Sequence, residues 1–461
     1  MGSITDSNIA LPIRQEDGVK FGKELREKEF LFEKGYLNLN HGSFGTYPRP
    51  IQSALRAFQD ATEARPDQFI RYKYPAYLNA SRAAVAQLLN APRNTVTFVP
   101  NATLGVNTVF RNLEYKDGDH ILYFATIYKG CHATVQYITE TTPAKAARVE
   151  YTYPVEDGWL VDAFKQKVEE VKSAGGNVKV AIFDTVVSMP GVRVPFERLL
   201  SACKELGVLS LLDAAHGIGH VDLDVTKLDP DFMTTNCHKW LHVPRGCALL
   251  YVPLRNQHLI RSTLPTSWGF KTLDSVPNTV NPKGAFGGAV DSEYIGNFEF
   301  VGTIDSAPYL CVPAALAWRK ALGGEKVIRD YCTALAQEAG QLVAKALGTE
   351  VLDNQTKTLS QCCMSMVRLP IEFEEARVAG EKAGVGEDKT GALVNVWLQK
   401  TMADQGETFL QTMFYGGRWW ARFSGQVYLE LEDFEGVVPA LKGLCEKANR
   451  GEWTEVLTME W

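Results

Sequence analysis

The chain predicts an α/β protein: a mostly parallel sheet covered by helices, followed by a smaller α+β unit. Three observations carry that expectation. Between residues 78 and 255, short β-branched or aromatic runs alternate with amphipathic helical stretches, the rhythm of successive βαβ units. After about residue 305 the rhythm gives way to long helices and isolated strands. The length of 461 residues, with 45% hydrophobic and 22% charged, supports a large packed core and excludes wholesale disorder or a fibrous repeat.

Strands are expected at 95–99, 120–124, 148–152, 178–184, 208–213, 232–234 and 248–252, the last ended by Pro253, and together they make one seven-stranded sheet. Apolar residues recur at three- and four-residue steps over 78–89, 104–113, 160–173 and 195–206, which predicts the covering helices. Residues 271–293, rich in Gly, Pro, Asn and Ser, exceed the usual length of a loop, so the segment is expected to be disordered or to belong to a site. Helices over 308–322 and 324–347, with strands such as 365–369 and 426–431, define the second unit. Residues 371–392, with their Glu, Lys and Gly, read as an exposed insertion in it. The expected division is an N-terminal segment 1–45 joining the small domain, a large domain 46–305 and a small domain 306–461.

Composition narrows the partners. Forty-eight basic residues against fifty-four acidic give a net charge of −6, and no run of Lys and Arg could track a phosphate backbone, so nucleic acid is not expected. The strongest apolar stretch, 248–254, has the length of a strand, so no membrane span is expected. The opening Met-Gly-Ser-Ile-Thr-Asp lacks a signal-peptide apolar region, and Asp6 stands where a myristoylation motif needs Ser or Thr, which predicts a cytoplasmic protein. Nine cysteines without paired spacing read as reduced thiols.

In an open parallel sheet, ligands sit beyond the carboxyl ends of the strands. Asn101, Ala102 and Thr103 follow the first strand and open a helix, whose free N–H groups suit a phosphate. Tyr128 follows the second strand, Ser188 the fourth, Asp213 and His216 the fifth, and His238 and Lys239 the sixth. A lone lysine at a strand end is usually solvated. Lys239, however, stands between His238 and Trp240 before an apolar strand, where desolvation would lower its pKa and leave an amine able to attack an aldehyde. Asp213 ends the apolar run 208–212 and needs a cationic partner, which a pyridinium nitrogen would supply. Phosphate-binding helix start, strand-end Asp and strand-end Lys together describe a pyridoxal phosphate site.

With these residues assembled, the chain resembles the fold-type I, class V aminotransferase superfamily, through Asp213-Ala214-Ala215-His216, His238-Lys239, Asn101-Ala102-Thr103 and Gly302-Thr303. Within it the likeness narrows to the isopenicillin N epimerase-like branch and to the fungal lyases that cleave hercynylcysteine sulfoxide in ergothioneine synthesis. That likeness is carried by 39–45, 63–66, 188–193, 236–240, Pro244-Arg245-Gly246, 255–265 and Trp420-Ala421-Arg422. The resemblance implies that Lys239 holds the cofactor and moves the substrate's Cα proton, that Asp213 faces the ring nitrogen, and that His216 and Ser188 flank the ring. It further implies phosphate contacts from Thr103, Asn236 and His238, and one from Thr303 to the neighbouring subunit's phosphate, hence a homodimer with composite sites. Arg422 would clamp the substrate carboxylate with help from Asn40, and Arg245 would also meet substrate. Tyr128 would stack on the ring, and its hydroxyl could act as acid toward a sulfur leaving group or stay idle.

One departure concerns the segment 414–418, which is less basic than the matching stretch of the ergothioneine lyases, so the distal end of the substrate is expected to be bound differently or replaced. His238 and His242 have the spacing of helical zinc ligands, but Lys239 stands where a zinc protease has its Glu, and no metal is expected. Gly217-Ile218-Gly219 begins a dinucleotide fingerprint that Asp222 breaks. Cys131, Cys237, Cys362 and Cys363 are poor matches for the loop-borne nucleophile of cysteine desulfurases. Three functions then compete: β-elimination of a sulfur group to give pyruvate and ammonia, epimerisation or carbon–carbon bond-forming cyclisation on the same cofactor, and a non-catalytic scaffold. Lys239, Asp213 and Arg422 together argue against the scaffold.

Overall fold

The computed structural model describes residues 20–275 and 283–458. One sheet holds β1 (Val96–Val99), β2 (Asp119–Phe124), β3 (Lys145–Val149), β4 (Asn177–Asp184), β5 (Leu209–Ala214), β6 (Phe232–Asn236) and β7 (Ala248–Tyr251), in the order β1-β7-β6-β5-β4-β2-β3. Neighbours from β3 to β6 are parallel, and β7 alone runs against both β6 and β1. The physical reason is the connection 237–247, too short for a crossover helix and therefore forced to turn back. β1, β6 and β7 are buried along their whole length, as strands covered on both faces must be. The architecture is the α/β fold predicted above.

A second, three-stranded sheet is antiparallel: β8 (Met364–Arg368), β9 (Gln411–Tyr415) and β10 (Arg418–Ser424), in the order β8-β10-β9. The β9–β10 hairpin turns on Gly416 and Gly417, at φ +58° and +76°, the positive values that a tight two-residue turn demands. The chain before residue 45 lies against this unit. Gly22 N–H donates to the Val427 carbonyl at 2.8 Å, Arg26 grips Asp433 through two bonds of 2.6 and 3.0 Å, and Leu37 bridges Thr408.

Several expected elements fall elsewhere. The third strand is 145–149 rather than 148–152, because Tyr151 and Tyr153 leave the sheet edge and pack their rings against each other, 5.0 Å apart. The helix expected over 308–322 breaks into Ala307–Leu310 and Val312–Ala321, with Pro313 tolerated in the first turn of the second. Residues 426–431 are a turn, not a strand: Leu429 N–H bonds the Gln426 carbonyl, and a capping box of Glu430 and Asp433 then opens the helix Leu431–Asn449. Val427 and Leu429 are buried inside that turn, which is why they imitate an alternating strand. Residues 371–392 are largely exposed, as expected, but are helical for most of their length. They belong to the helices Phe373–Lys382 and Glu387–Gln405, and Gly380 and Gly391 mark close packing against Trp453 and Phe414. Of the 271–293 loop, residues 276–282 lie outside the described residues, as does the N-terminal hexapeptide; the loop's far end is tied by Asp291 to Arg82 and Arg93 at 2.8 and 2.9 Å.

Candidate active site

Lys239 reaches its position through a turn at the end of β6. The N–H groups of Cys237 and His238 both donate to the Cys247 carbonyl, at 3.0 and 3.2 Å, and His41 Nε2 holds the Lys239 carbonyl at 2.8 Å. Its amine Nζ lies 3.0 Å from His216 Nε2, and His216 Nδ1 accepts the Trp240 indole N–H at 3.2 Å. Burial, then the charge of Arg422, lowers the Lys239 pKa to about 8, against the opposite pull of Asp213, Asp184 and Cys131. Burial and the nearby Lys239 hold His216 well below the ordinary histidine range.

Asp213, near the end of β5, accepts the Ala215 N–H at 3.0 Å and the Cys131 thiol at 3.3 Å. Burial raises its pKa, and among the described residues no cation pairs with it. Asp184 stands beside it in register on β4, raised well above the usual range by burial and by Asp213 itself. A buried carboxylate without a cation fits the protonated ring nitrogen of pyridoxal phosphate.

The first turn of the helix Ala102–Asn112 is prepared by two side chains. Asn101 Oδ1 accepts the Leu104 N–H at 2.9 Å, and Asn236 Oδ1 accepts the Ala102 N–H at 2.9 Å. Thr103 stands between these capped positions. His238 donates Nδ1–H to the Cys247 carbonyl at 2.9 Å, which commits that nitrogen and leaves Nε2 for a ligand; burial brings its pKa to about 4. Tyr128, 50% exposed, precedes the helix Lys129–Thr141, and Gly130 lets its ring and the Thr103 methyl approach: a Cβ there would lie 2.9 Å from the ring and 3.5 Å from the methyl.

Arg422, on β10, is buried, with burial lowering its pKa to about 10. Its Nη1 donates to the Ser188 carbonyl at 2.6 Å, and its Nη2 donates to Asn40 Oδ1 at 2.9 Å and Ser43 Oγ at 2.7 Å. The Nε–H is buried without a protein acceptor. So Ser188 meets Arg422 through its backbone carbonyl. Arg245 spends Nε and Nη2 on the carbonyls of Phe44 and Gly45, at 3.1 and 2.8 Å, on the wall of a cavity of about 630 Å³ that Asn40 also lines. Thr303 is exposed on the rim of a different cavity of about 250 Å³, lined by Phe98, Phe298 and Tyr309.

The structure thus gathers Lys239, His216 and Asp213 with Arg422 and Asn40, and gathers Asn101, Ala102, Asn236 and Thr103 at one helix start. It sets Thr303 apart. Sequence reasoning passed over His41, Ser43, Trp240, Cys131 and Asp184 as members of this site. His41, Ser43 and Trp240 lay within segments already singled out, and the apolar flank of Asp184 was a further signal. His242, four residues after His238, has its Nδ1 3.0 Å from Arg319 Nη1. Gly219 is fixed by packing, since a Cβ there would stand 2.6 Å from the Trp240 carbonyl.

The fold and this cluster define a fold-type I enzyme of pyridoxal phosphate. The Aminotransferase class-V family model matches residues 71–370, and the chain belongs to that family. It is 35% identical to the L-cysteine desulfhydrase-like protein lolT1 of Epichloe uncinata, over 93% of this chain and 97% of that protein. It is 27% identical to the hercynylcysteine sulfoxide lyase of Schizosaccharomyces pombe, over 92% and 98%. Among solved structures, the cystine C–S lyase C-DES in complex with cysteine persulfide superposes with a TM-score of 0.66 at 20% identity, covering 89% of this chain and 97% of that one. Among the described residues, no helix is long and apolar enough to cross a membrane.

Proposed function

We propose that this enzyme cleaves the Cβ–S bond of a cysteine-derived amino acid by β-elimination, releasing a sulfur-bearing product, pyruvate and ammonia, with hercynylcysteine sulfoxide as the candidate substrate. The observation that carries the reading is the juxtaposition of the low-pKa amine of Lys239 with the buried Asp213 and the guanidinium of Arg422. The names of the relatives supply the bond to be cleaved.

When bound, pyridoxal phosphate supplies an electron sink conjugated to Cα. Lys239 Nζ would hold the cofactor through its aldehyde carbon and would be the base for the substrate's Cα proton. Asp213 keeps the ring nitrogen protonated. Asn101, Asn236 and Thr103 present the helix start to the phosphate, with His238 Nε2 alongside. Arg422, steadied by Asn40 and Ser43, takes the substrate carboxylate and so fixes which Cα bond faces the ring. Tyr128 would stack on the ring, and its hydroxyl, free of protein partners among the described residues, would donate a proton to the departing sulfur. The enzyme acts as a homodimer, with Thr303 completing the neighbouring subunit's phosphate site; the exposure of Thr303 in the single chain supports this.

The segment 414–418 is a hairpin whose Arg418 pairs with Glu350 at 2.7 Å, so it offers the distal end of a substrate little free charge. The test is therefore a mass-spectrometric product assay of the cofactor-loaded enzyme with hercynylcysteine sulfoxide and, separately, L-cysteine, with pyruvate followed in parallel. Sulfur product and pyruvate in equal amounts, lost in Lys239→Ala, are expected. Exchange of the Cα hydrogen in deuterated water without sulfur release would overturn the lyase reading in favour of epimerisation. Tyr128→Phe is expected to slow elimination about 10²-fold or more, the scale of a general acid; an unchanged rate removes that role.

A further inference from the structure

We propose that Trp240 is a positioning residue: its indole N–H fixes the tautomer of His216, so that His216 donates a hydrogen bond to Lys239 and holds the lysine amine in its neutral, proton-accepting form. The inference rests on the reading of Lys239 as the cofactor-binding and proton-moving lysine, and deepens it.

The argument follows from which atoms can donate. An indole N–H has no acceptor role, so His216 Nδ1, 3.2 Å from it, must present a lone pair. A ring whose Nδ1 accepts cannot be an imidazolium, and if neutral it carries its proton on Nε2. That Nε2–H points at Lys239 Nζ, 3.0 Å away. An amine has one lone pair and accepts the bond; an ammonium has three N–H groups and no acceptor, so it would set donor against donor. The polarity of two hydrogen bonds thus discriminates between the protonation states of Lys239.

The pair is rigid enough to do this. Trp240 is 1% exposed, its ring packs 4.0 Å from the His220 ring, and its carbonyl accepts Arg319 Nη1 at 2.8 Å, while Arg319 is itself paired with Glu325. It is also needed. The charges facing Lys239 are divided, since Asp213, Asp184 and Cys131 favour the ammonium while Arg422 opposes it. His216 in turn faces Lys239, Arg422, His220 and His238, all of which disfavour its protonation. A base poised between two acids and one guanidinium gains from a neighbour that accepts only its neutral form.

The test measures uptake of pyridoxal phosphate by the cofactor-stripped full-length chain as a function of pH, by absorbance, because attack on the aldehyde requires the neutral amine. Wild type is expected to reach half-maximal rate near pH 8. Trp240→Phe, with folding checked by circular dichroism, is expected to raise that midpoint by about one unit and slow uptake at pH 7 about tenfold. His216→Gln keeps the polarity, with its amide oxygen toward Trp240 and its NH₂ toward Lys239, and is expected to hold the wild-type midpoint, whereas His216→Leu should rise like Trp240→Phe. A folded Trp240→Phe with an unchanged midpoint overturns the proposal. If that variant does not fold, equal midpoints for His216→Gln and His216→Leu overturn it instead. Covalent uptake by Lys239→Ala would sink the assignment of Lys239 itself, a distinct outcome.

Discussion

Arg422 is positioned by three oxygen acceptors and, among the described residues, has no ion pair and no acceptor for its buried Nε–H. Such an arrangement costs stability unless a ligand completes it, which is the reason to expect a carboxylate there. Arg422→Lys keeps the charge but loses the planar fork that Ser188, Asn40 and Ser43 hold. The expected outcome is a KM raised about 10- to 100-fold, the range of about 1.4–2.8 kcal/mol for a lost charge-assisted bond, with kcat changed far less. Steady-state kinetics on the product assay checks it, and an unchanged KM would remove the clamp role. Asp213 and Lys239 were legible in the sequence because each is an ionisable residue beside an apolar run, and Arg422 was legible only through the family resemblance of Trp420-Ala421-Arg422. Cys131 and His41 were not, because the Cys131 bond to Asp213 spans 82 residues and the His41 bond to Lys239 spans 198, and neither residue type announces such a partner.

The turn that carries Lys239 packs against the segment 41–45 so closely that only glycine fits at position 45. Gly45 has φ +62°, and a Cβ there would stand 1.9 Å from the His238 carbonyl oxygen. Gly45→Ala therefore combines backbone strain with overpacking, each costing about 1–3 kcal/mol. Since backbone must yield, the displacement falls on His238 and Lys239. A lowered unfolding temperature together with weaker cofactor retention is expected, read by calorimetry and by dialysis followed by absorbance; retention equal to wild type would show that the turn is held from elsewhere. A gentler probe of the neighbouring element is Asn236→Ala, which strips the cap from Ala102 N–H and is expected to cost about 1 kcal/mol and to weaken cofactor binding in the same assay. Strands β1, β2 and β4 to β7 were legible because apolar runs of strand length end in polar residues. Residues 426–431 misled because burial of Val427 and Leu429 mimics alternation, and the helices within the exposed segment 371–392 went unread because Gly380 and Gly391 look like loop residues until Trp453 and Phe414 are seen to pack against them.

Across the molecule, four histidines are kept neutral by burial. His41 is lowered to about 3 and His238 to about 4, while His216 and His242 lie well below the ordinary value. The unfolded chain takes up these protons as pH falls through about 6.5, and the folded protein does not until about 4 or below. The unfolded state therefore binds more protons in that window, and stability falls as pH falls. Asp213, Asp184 and Glu299 act in the opposite sense: their raised folded pKa values let the folded state hold protons that the unfolded state has lost. Three acids do not outweigh four histidines, so the net slope follows the histidines. Calorimetry of the cofactor-loaded enzyme is expected to show the unfolding temperature dropping between pH 7 and pH 5. His41→Gln tests the assignment without touching the cofactor contacts, since an amide can accept from the Tyr428 hydroxyl and donate to the Lys239 carbonyl as the imidazole does. The variant should unfold with a shallower dependence on pH than wild type, because one group that titrates only in the unfolded state has been removed. A slope unchanged by the substitution would mean that His41 already carries its proton in the folded protein, donating Nδ1–H to the Tyr428 oxygen while the Tyr428 hydroxyl donates to the Asn38 carbonyl.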